Sequence, residues 1–254
     1  MTDVMSLDYT AAGAPIRDDL RAAHAMVLEH FSRPGCWFSG AERIAIAAES
    51  RLAVGCPLCR ERKSALSPEH AQGERKSALS PEHATTGALK TRLVELIHRV
   101  RTDSGRLSRR FFDAEIAAGL SDGEYVEAVG IVALTSGLDF LCRALGVPVL
   151  PLPDPLPGVA SRHRPAGLQE GIAWVPMLPP EAASGPDADL YGGADFVPNI
   201  VRALSLVPDH VRVLRKWSDA HYVALRDLTA RRAIDRPQIE LVAARVSALN
   251  ECFY

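Results

Sequence analysis

The chain reads as all-α. Apolar residues recur at three- and four-residue intervals through most of its length, two Ser-x-x-Glu helix-start patterns precede apolar stretches, and the period-two alternation of a half-buried strand does not recur. From the N-terminus, Ile16, Leu20, Ala23, Val27 and Phe31 fall on one helical face, and Pro34-Gly35 punctuates it. Ser39-Gly40-Ala41-Glu42 is a capping box, in which the hydroxyl accepts from the Glu42 amide while the carboxylate reaches back. The Ala/Ile-rich helix it opens runs to about Val54 and delivers Cys56. Leu89, Leu93, Leu96, Ile97 and Val100 mark another amphipathic helix, and Ser108 to Ala118 a shorter one that Gly119 can end in a left-handed conformation. Ser121-Asp122-Gly123-Glu124 is a second capping box. Its helix runs to Leu145, stops at Gly146 and is apolar nearly all round, so it reads as a buried central element in which Asp139 and Cys142 stand out.

Pro148 to Pro186 holds ten of the eighteen prolines. Each removes a backbone donor and clashes with helical geometry, so this stretch is not a helical core. It reads as a boundary, with Trp174 to Pro180 packed as an extended strap. Beyond it, Ile200 to Val207, Val211 to Tyr222 and Gln238 onward return to helical spacing, the last with Asp235 as cap and Pro237 in its first turn. The expected organisation is a helical domain over 1–147, a Pro-rich strap over 148–193 and a second helical segment over 194–254.

Of 254 residues, 47% are hydrophobic and 24% charged, and the mean hydropathy is +0.01, as in a water-soluble globular chain. A net charge of -2 leaves no basic footprint for a phosphate backbone, so nucleic acid is not an expected partner. The uncharged stretch Ala128 to Leu138 is too short for a bilayer span, which argues against a membrane protein, and the acidic start Met1 to Asp8 lacks the positive end of a signal peptide. Five cysteines with no framework spacing fit a reducing compartment, the cytoplasm.

Glu61 to Ala71 and Glu74 to Ala84 are identical, reading Glu-Arg-Lys-Ser-Ala-Leu-Ser-Pro-Glu-His-Ala twice. Solenoid repeats are longer, more numerous and divergent, so a tandem duplication in a surface loop, without a role of its own, is the expectation.

Cys56-Pro57-Leu58-Cys59 is the intact chemical motif. Two thiols three residues apart at a helix turn can close a disulfide, and Arg60, Arg62, Lys63 and a helix N-terminus favour the thiolate that attacks peroxide or disulfide sulfur. Glu42, Glu49 and Cys56 share sevenfold spacing, so either carboxylate is a possible proton relay. The bland alternative, two buried small hydrophobes, stands beside it. Two thiolates and two imidazoles would also make a tetrahedral zinc site with His70 and His83. Twelve residues separate those histidines, outside the three-to-five gap of a compact finger, so no metal and no cofactor are expected. His98 and the remaining histidines read as ordinary helix residues.

The tail, Asp235 to Tyr254, carries Glu240, eleven residues, and Cys252 followed by Phe253-Tyr254. This resembles the start of the reactive segment of the AhpD-like alkylhydroperoxidase and carboxymuconolactone decarboxylase superfamily, in which Glu, eleven residues, Cys, two residues, Cys, three residues and His lie in a helical bundle. The resemblance gives Glu240 the place of the proton-relay carboxylate and Cys252 that of the first, resolving cysteine, the partners falling beyond Tyr254. It also makes the N-terminal half a diverged copy, with Cys56 and Cys59 as the pair, Ile44 where the carboxylate would stand and Lys63 where the histidine would stand.

What the resemblance implies is two bundle halves joined by the strap, self-association, and reduction of a small hydroperoxide by a cysteine pair with a thiol reductant. In such chemistry the thiolate becomes a sulfenic acid and its partner condenses with it. A decarboxylase-like or lactone-processing enzyme, and a non-catalytic scaffold or redox-sensing protein, are the other readings.

Overall fold

A computed structural model describes residues 7–64, 82–194, 197–223, 229 and 232–249. Among them the chain is all-α: the strand-like content is one antiparallel bridge, Gln169 to Met177. The helices are α1 (Asp18–Ser32), α2 (Gly40–Ala53), α3 (Pro57–Ser64), α4 (Thr91–Asp103), α5 (Arg109–Ala117), α6 (Asp122–Ala144), α7 (Asn199–Arg202), α8 (Pro208–His221) and α9 (Arg236–Leu249). The absence of strand-helix alternation removes a thioredoxin-like setting for the Cys56–Cys59 pair.

Local chemistry sets the helix ends where the pattern placed them. Ser39 accepts from the Glu42 amide and the Glu42 carboxylate accepts from the Ser39 amide at 2.9 Å; Ser121 and Glu124 repeat this at the start of α6. Gly119 and Gly146 follow α5 and α6 at φ of 100° and 69°, a region that an added Cβ would strain. Asp235 caps α9 by accepting from the Gln238 amide at 3.0 Å. The reading of Ile200 to Val207 as a helix is corrected: only Asn199–Arg202 is α-helical, before a tight turn that puts Leu206 and Val207 into the core.

α2, α4 and α6 pack on one another, with α1 against α2 and α6 and α8 against α1. The principal core joins Val27, Phe31, Ile46, Leu96, Ile131 and Leu138. Leu206, Val207 and Val213 belong to that same core, so the structure does not show two separate bundle halves. The proline-rich segment has no α-helix, as expected, and buries Met177 and Leu178 as a strap. α6 is long and apolar enough to cross a membrane by length and composition, and two thirds of its apolar window is buried against the other helices, the environment of a core helix. Gly123, Gly130 and Gly137 line one side of it at sevenfold spacing. A Cβ there would lie 2.1 Å from Trp37, 2.5 Å from His210 and 2.7 Å from Trp217, so their lack of side chains is what lets the three rings approach.

Two sets of polar groups are paired inside the fold. Arg43 and Glu127, both buried, face each other at 3.1 Å between α2 and α6. A neutral relay crosses from the N-terminal segment to α8: the Tyr9 hydroxyl donates to His24 Nδ1, His24 Nε2 meets His221 Nε2 at 2.8 Å, and His221 Nδ1 donates to the Trp217 carbonyl at 2.8 Å. Burial, helped by His221, lowers the His24 pKa from 6.5 to about 4. With a folded value below the unfolded one, the relay contributes its full stability above pH 6.5 and loses it as the pH falls toward about 4. Urea midpoints measured across that window should fall with acid, and His24→Gln should flatten the dependence; an unchanged slope would count against the neutral relay.

A four-residue cysteine and histidine centre

α2 ends at Ala53, a turn follows, and Cys56 caps α3 in the manner of a serine. Its sulfur takes hydrogen bonds from the Cys59 and Ala84 amides. Cys59 lies one turn into α3 and its sulfur is bonded by the Thr102 hydroxyl. Both thiols are buried in a small cluster with Leu58, apart from the main core. Two histidines close on the sulfurs: His83 Nδ1 is 3.5 Å from each Sγ, and His98 Nδ1, from α4, is 3.2 Å from the Cys59 Sγ. One donor atom from each of the four residues lies within 4.8 Å of all the others.

Carboxylates behind the imidazoles fix their tautomers. His83 Nε2 donates to Glu95 Oε2 at 2.6 Å and His98 Nε2 to Glu49 Oε1 at 2.9 Å, which leaves both Nδ1 lone pairs pointing inward. Glu95 is held by Arg62 and Arg99, each at 2.9 Å. Glu49 and His98 have no exposed side-chain surface, and the other Glu49 oxygen accepts from the Thr86 amide at 2.9 Å and the Thr86 hydroxyl at 2.6 Å.

These contacts pull the titrations apart. Burial raises the Cys56 thiol, but the Cys59 amide, His83 and the Ala84 amide outweigh it and bring it down to about 7. Burial and the neighbouring Cys56 push Cys59 up to about 11, against the Thr102 hydroxyl. Burial opposes charge on Glu49, yet Thr86 and His98 hold its carboxyl below the ordinary range. His83 titrates above its ordinary value, Glu95 and Cys56 overcoming burial, whereas burial keeps His98 below its own. The arrangement can bind a soft divalent cation with four donors, or move a proton along Cys59, His98 and Glu49.

Comparison with protein-family models, curated proteins and solved structures finds no match for this chain.

The structure joins Cys59 to Glu49 through His98 and Cys56 to Cys59 through His83, and Cys56, Cys59 and Glu49 are all expected site residues. Glu42 is not part of the centre: its carboxylate is taken by Ser39 in the capping box, at the far end of α2 from Cys56. Glu240 is exposed on α9, accepting from Tyr222 at 2.6 Å and Arg236 at 2.6 Å. Cys252 and His70 lie outside the described residues. The expectation of no metal weighs His70 with His83; among the described residues it is His98 that joins His83 at the sulfurs. His98 stands 39 residues from Cys59, and its one local signal was its place on the face of α4 that also carries Glu95 and Thr102.

The two expected relay carboxylates should therefore separate on substitution. Glu49→Leu leaves His98 and Thr86 without their buried acceptor and should cost about 3–5 kcal/mol in chemical unfolding. Glu42→Ala should lose only a cap, about 0.5–2 kcal/mol. Equal costs would contradict the placement.

Proposed function

We propose that Cys56, Cys59, His83 and His98 hold a zinc-type divalent ion that pins α2, α3, α4 and the 83–86 segment together. The observation that carries this is the edge length of the cluster. Zn–S and Zn–N bonds in tetrahedral geometry put S and N about 3.6 Å apart; His83 to both sulfurs and His98 to the Cys59 sulfur span 3.2 to 3.5 Å, and all four donors lie within 4.8 Å of one another. Two thiolates and two imidazoles select zinc over harder cations, and amide donors to the Cys56 sulfur with a carboxylate behind each histidine are the outer contacts such a centre uses. Four protein donors make a closed, structural site.

Metal analysis should find one zinc per chain, and cobalt replacement should give thiolate charge-transfer absorption lost in Cys56→Ser and Cys59→Ser. Chelation should lower the unfolding midpoint. A chain that takes up no metal under reducing conditions sinks the reading.

A second reading is thiol-dependent reduction of a small hydroperoxide, as the AhpD-like resemblance implies, in a cytoplasmic setting with a thiol reductant. The unbroken Cys59, His98, Glu49 chain favours it. His98 would accept the Cys59 proton, the thiolate would attack the peroxide O–O bond to leave a sulfenic acid while His98 returns the proton to the departing alkoxide as an alcohol, and the Cys56 thiol would expel water from the sulfenic acid to close a disulfide that an external dithiol reduces. It is distinguished by peroxide consumption in the metal-free, dithiol-supported chain that Cys59→Ser abolishes.

The duplication gives a separate check on His83. Deleting 61–73 leaves one repeat copy and shortens the Cys59 to His83 separation from 24 to 11 residues, while keeping His83, Thr85 and Thr86 in order. The shortened chain should bind cobalt with unchanged stoichiometry and absorption; loss of the charge-transfer band would show that the second copy contributes more than its histidine.

A further inference from the structure

Beside the cysteine and histidine centre, a cavity of about 570 Å³ opens between α2, α3, α4 and α6, with Cys59 in its wall. Its charge is one-sided. Arg60, Lys63, Arg101 and Arg143 line it, and its lining includes no carboxylate. Arg101 is the informative member: its side chain is 8% exposed, and its Nε is buried with no hydrogen-bond partner.

The nearest acid is shared by this guanidinium with another. Asp139 lies 3.7 Å from Arg101 Nη2, but it is already engaged by Arg51 at 2.9 Å and 3.1 Å. Two guanidiniums thus share one carboxylate, and Arg143 adds a third positive charge at the rim. A buried cation with an unused donor is costly unless an anion completes it. Arg presents its donors as a fork that matches the oxygens of carboxylate and phosphate. Phe140, 67% exposed, and Val54, 48% exposed, supply apolar walls at the same mouth.

We propose that this cavity binds a small organic oxyanion, a carboxylate or phosphate group on a compact apolar body, with Arg101 as its buried anchor. The oxyanion takes a guanidinium donor of Arg101, Arg60, Lys63 and Arg143 attract it at the rim, and its apolar part rests on Phe140. The placement goes beyond the metal centre and does not need it: Arg101 and the cavity mouth stand whether or not the four donors hold an ion.

The test is calorimetric titration of the full chain, its metal content measured in the same sample, with benzoate, phenyl phosphate, inorganic phosphate and benzyl alcohol. Saturable binding of benzoate or phenyl phosphate, with benzyl alcohol silent, is the expected result; which of the two binds more tightly identifies the carboxylate or the phosphate source. Inorganic phosphate should bind more weakly for want of the apolar part. Arg101→Gln should weaken binding about tenfold or more with the metal content of the sample unchanged. Because Arg101 also faces Asp139, the exposed Arg143→Gln and Phe140→Ser provide a second line, each weakening binding several-fold without altering the unfolding midpoint. Absence of saturable binding by every anion, or binding that none of the three substitutions changes, would overturn the proposal.

Discussion

Glu49 is the group on which the centre depends. A carboxylate with no exposed surface keeps its charge only if donors replace the water it has lost, and here His98 serves one oxygen while Thr86 serves the other. Those two donors come from α4 and from the segment that carries His83, so satisfying one acid on α2 docks both of the elements that bring imidazoles to the sulfurs. The tautomer follows from the same contact: a carboxylate at Nε2 commits the His98 proton there and frees Nδ1 for Cys59. Packing of α2, α4 and α6 supplies the framework, but it is this polar contact that fixes how the cluster faces inward.

Metal binding and peroxide chemistry make opposite demands on these atoms. A tetrahedral ion needs both sulfurs as thiolates and both Nδ1 lone pairs at once, and when it has them no sulfur is free to attack. Dithiol chemistry needs one sulfur ionised, the other available to condense, and an imidazole free to take the proton. The split between Cys56, brought down to about 7 by its amide and imidazole contacts, and Cys59, pushed up to about 11 by burial and Cys56, suits the one-thiolate demand. Electrostatics of the surround are closer to the metal. Two thiolates cancel a divalent ion, and the two outer carboxylates are countered in part by Arg62 and Arg99 on Glu95, which leaves a nearly neutral assembly in a buried place.

Most of the helical framework was legible in the sequence because short-range rules set it. The capping boxes at Ser39 and Ser121, the left-handed Gly119 and Gly146 and the Asp235 cap are decided within a few residues, and the structure follows them. Elements whose fate depends on distant partners were not: the 203–207 stretch has helical spacing but turns to bury Leu206 and Val207 against a core built far earlier in the chain. The site divides along the same line. Cys56, Cys59 and Glu49 lie on consecutive elements and their spacing exposes them. His98 arrives through a helix-helix contact that no local pattern encodes. Glu42 was indistinguishable from Glu49 by period alone, since the heptad places both on one face, and only the competing claim of Ser39 separates them. His83 was hidden by its own repeat, because two identical histidines offer no way to tell which copy reaches the thiols.

α4 makes the centre and the cavity neighbours by necessity. His98, Arg101 and Thr102 fall within one turn, so the helix that turns an imidazole toward Cys59 also carries a guanidinium toward α6. Thr102 stands between them, bonded to the Cys59 sulfur and donating to the His98 carbonyl at 2.8 Å. Anything seated on Arg101 therefore lies one side chain away from the sulfur. An added negative charge there disfavours the thiolate of Cys59 through space, and in a low-dielectric wall that coupling is stronger than it would be across water. Occupancy of the cavity and the state of the cysteine pair are consequently not independent: the same anion that completes Arg101 disfavours the bare thiolate of its neighbour and favours a positive partner on that sulfur, whether a proton or a metal ion.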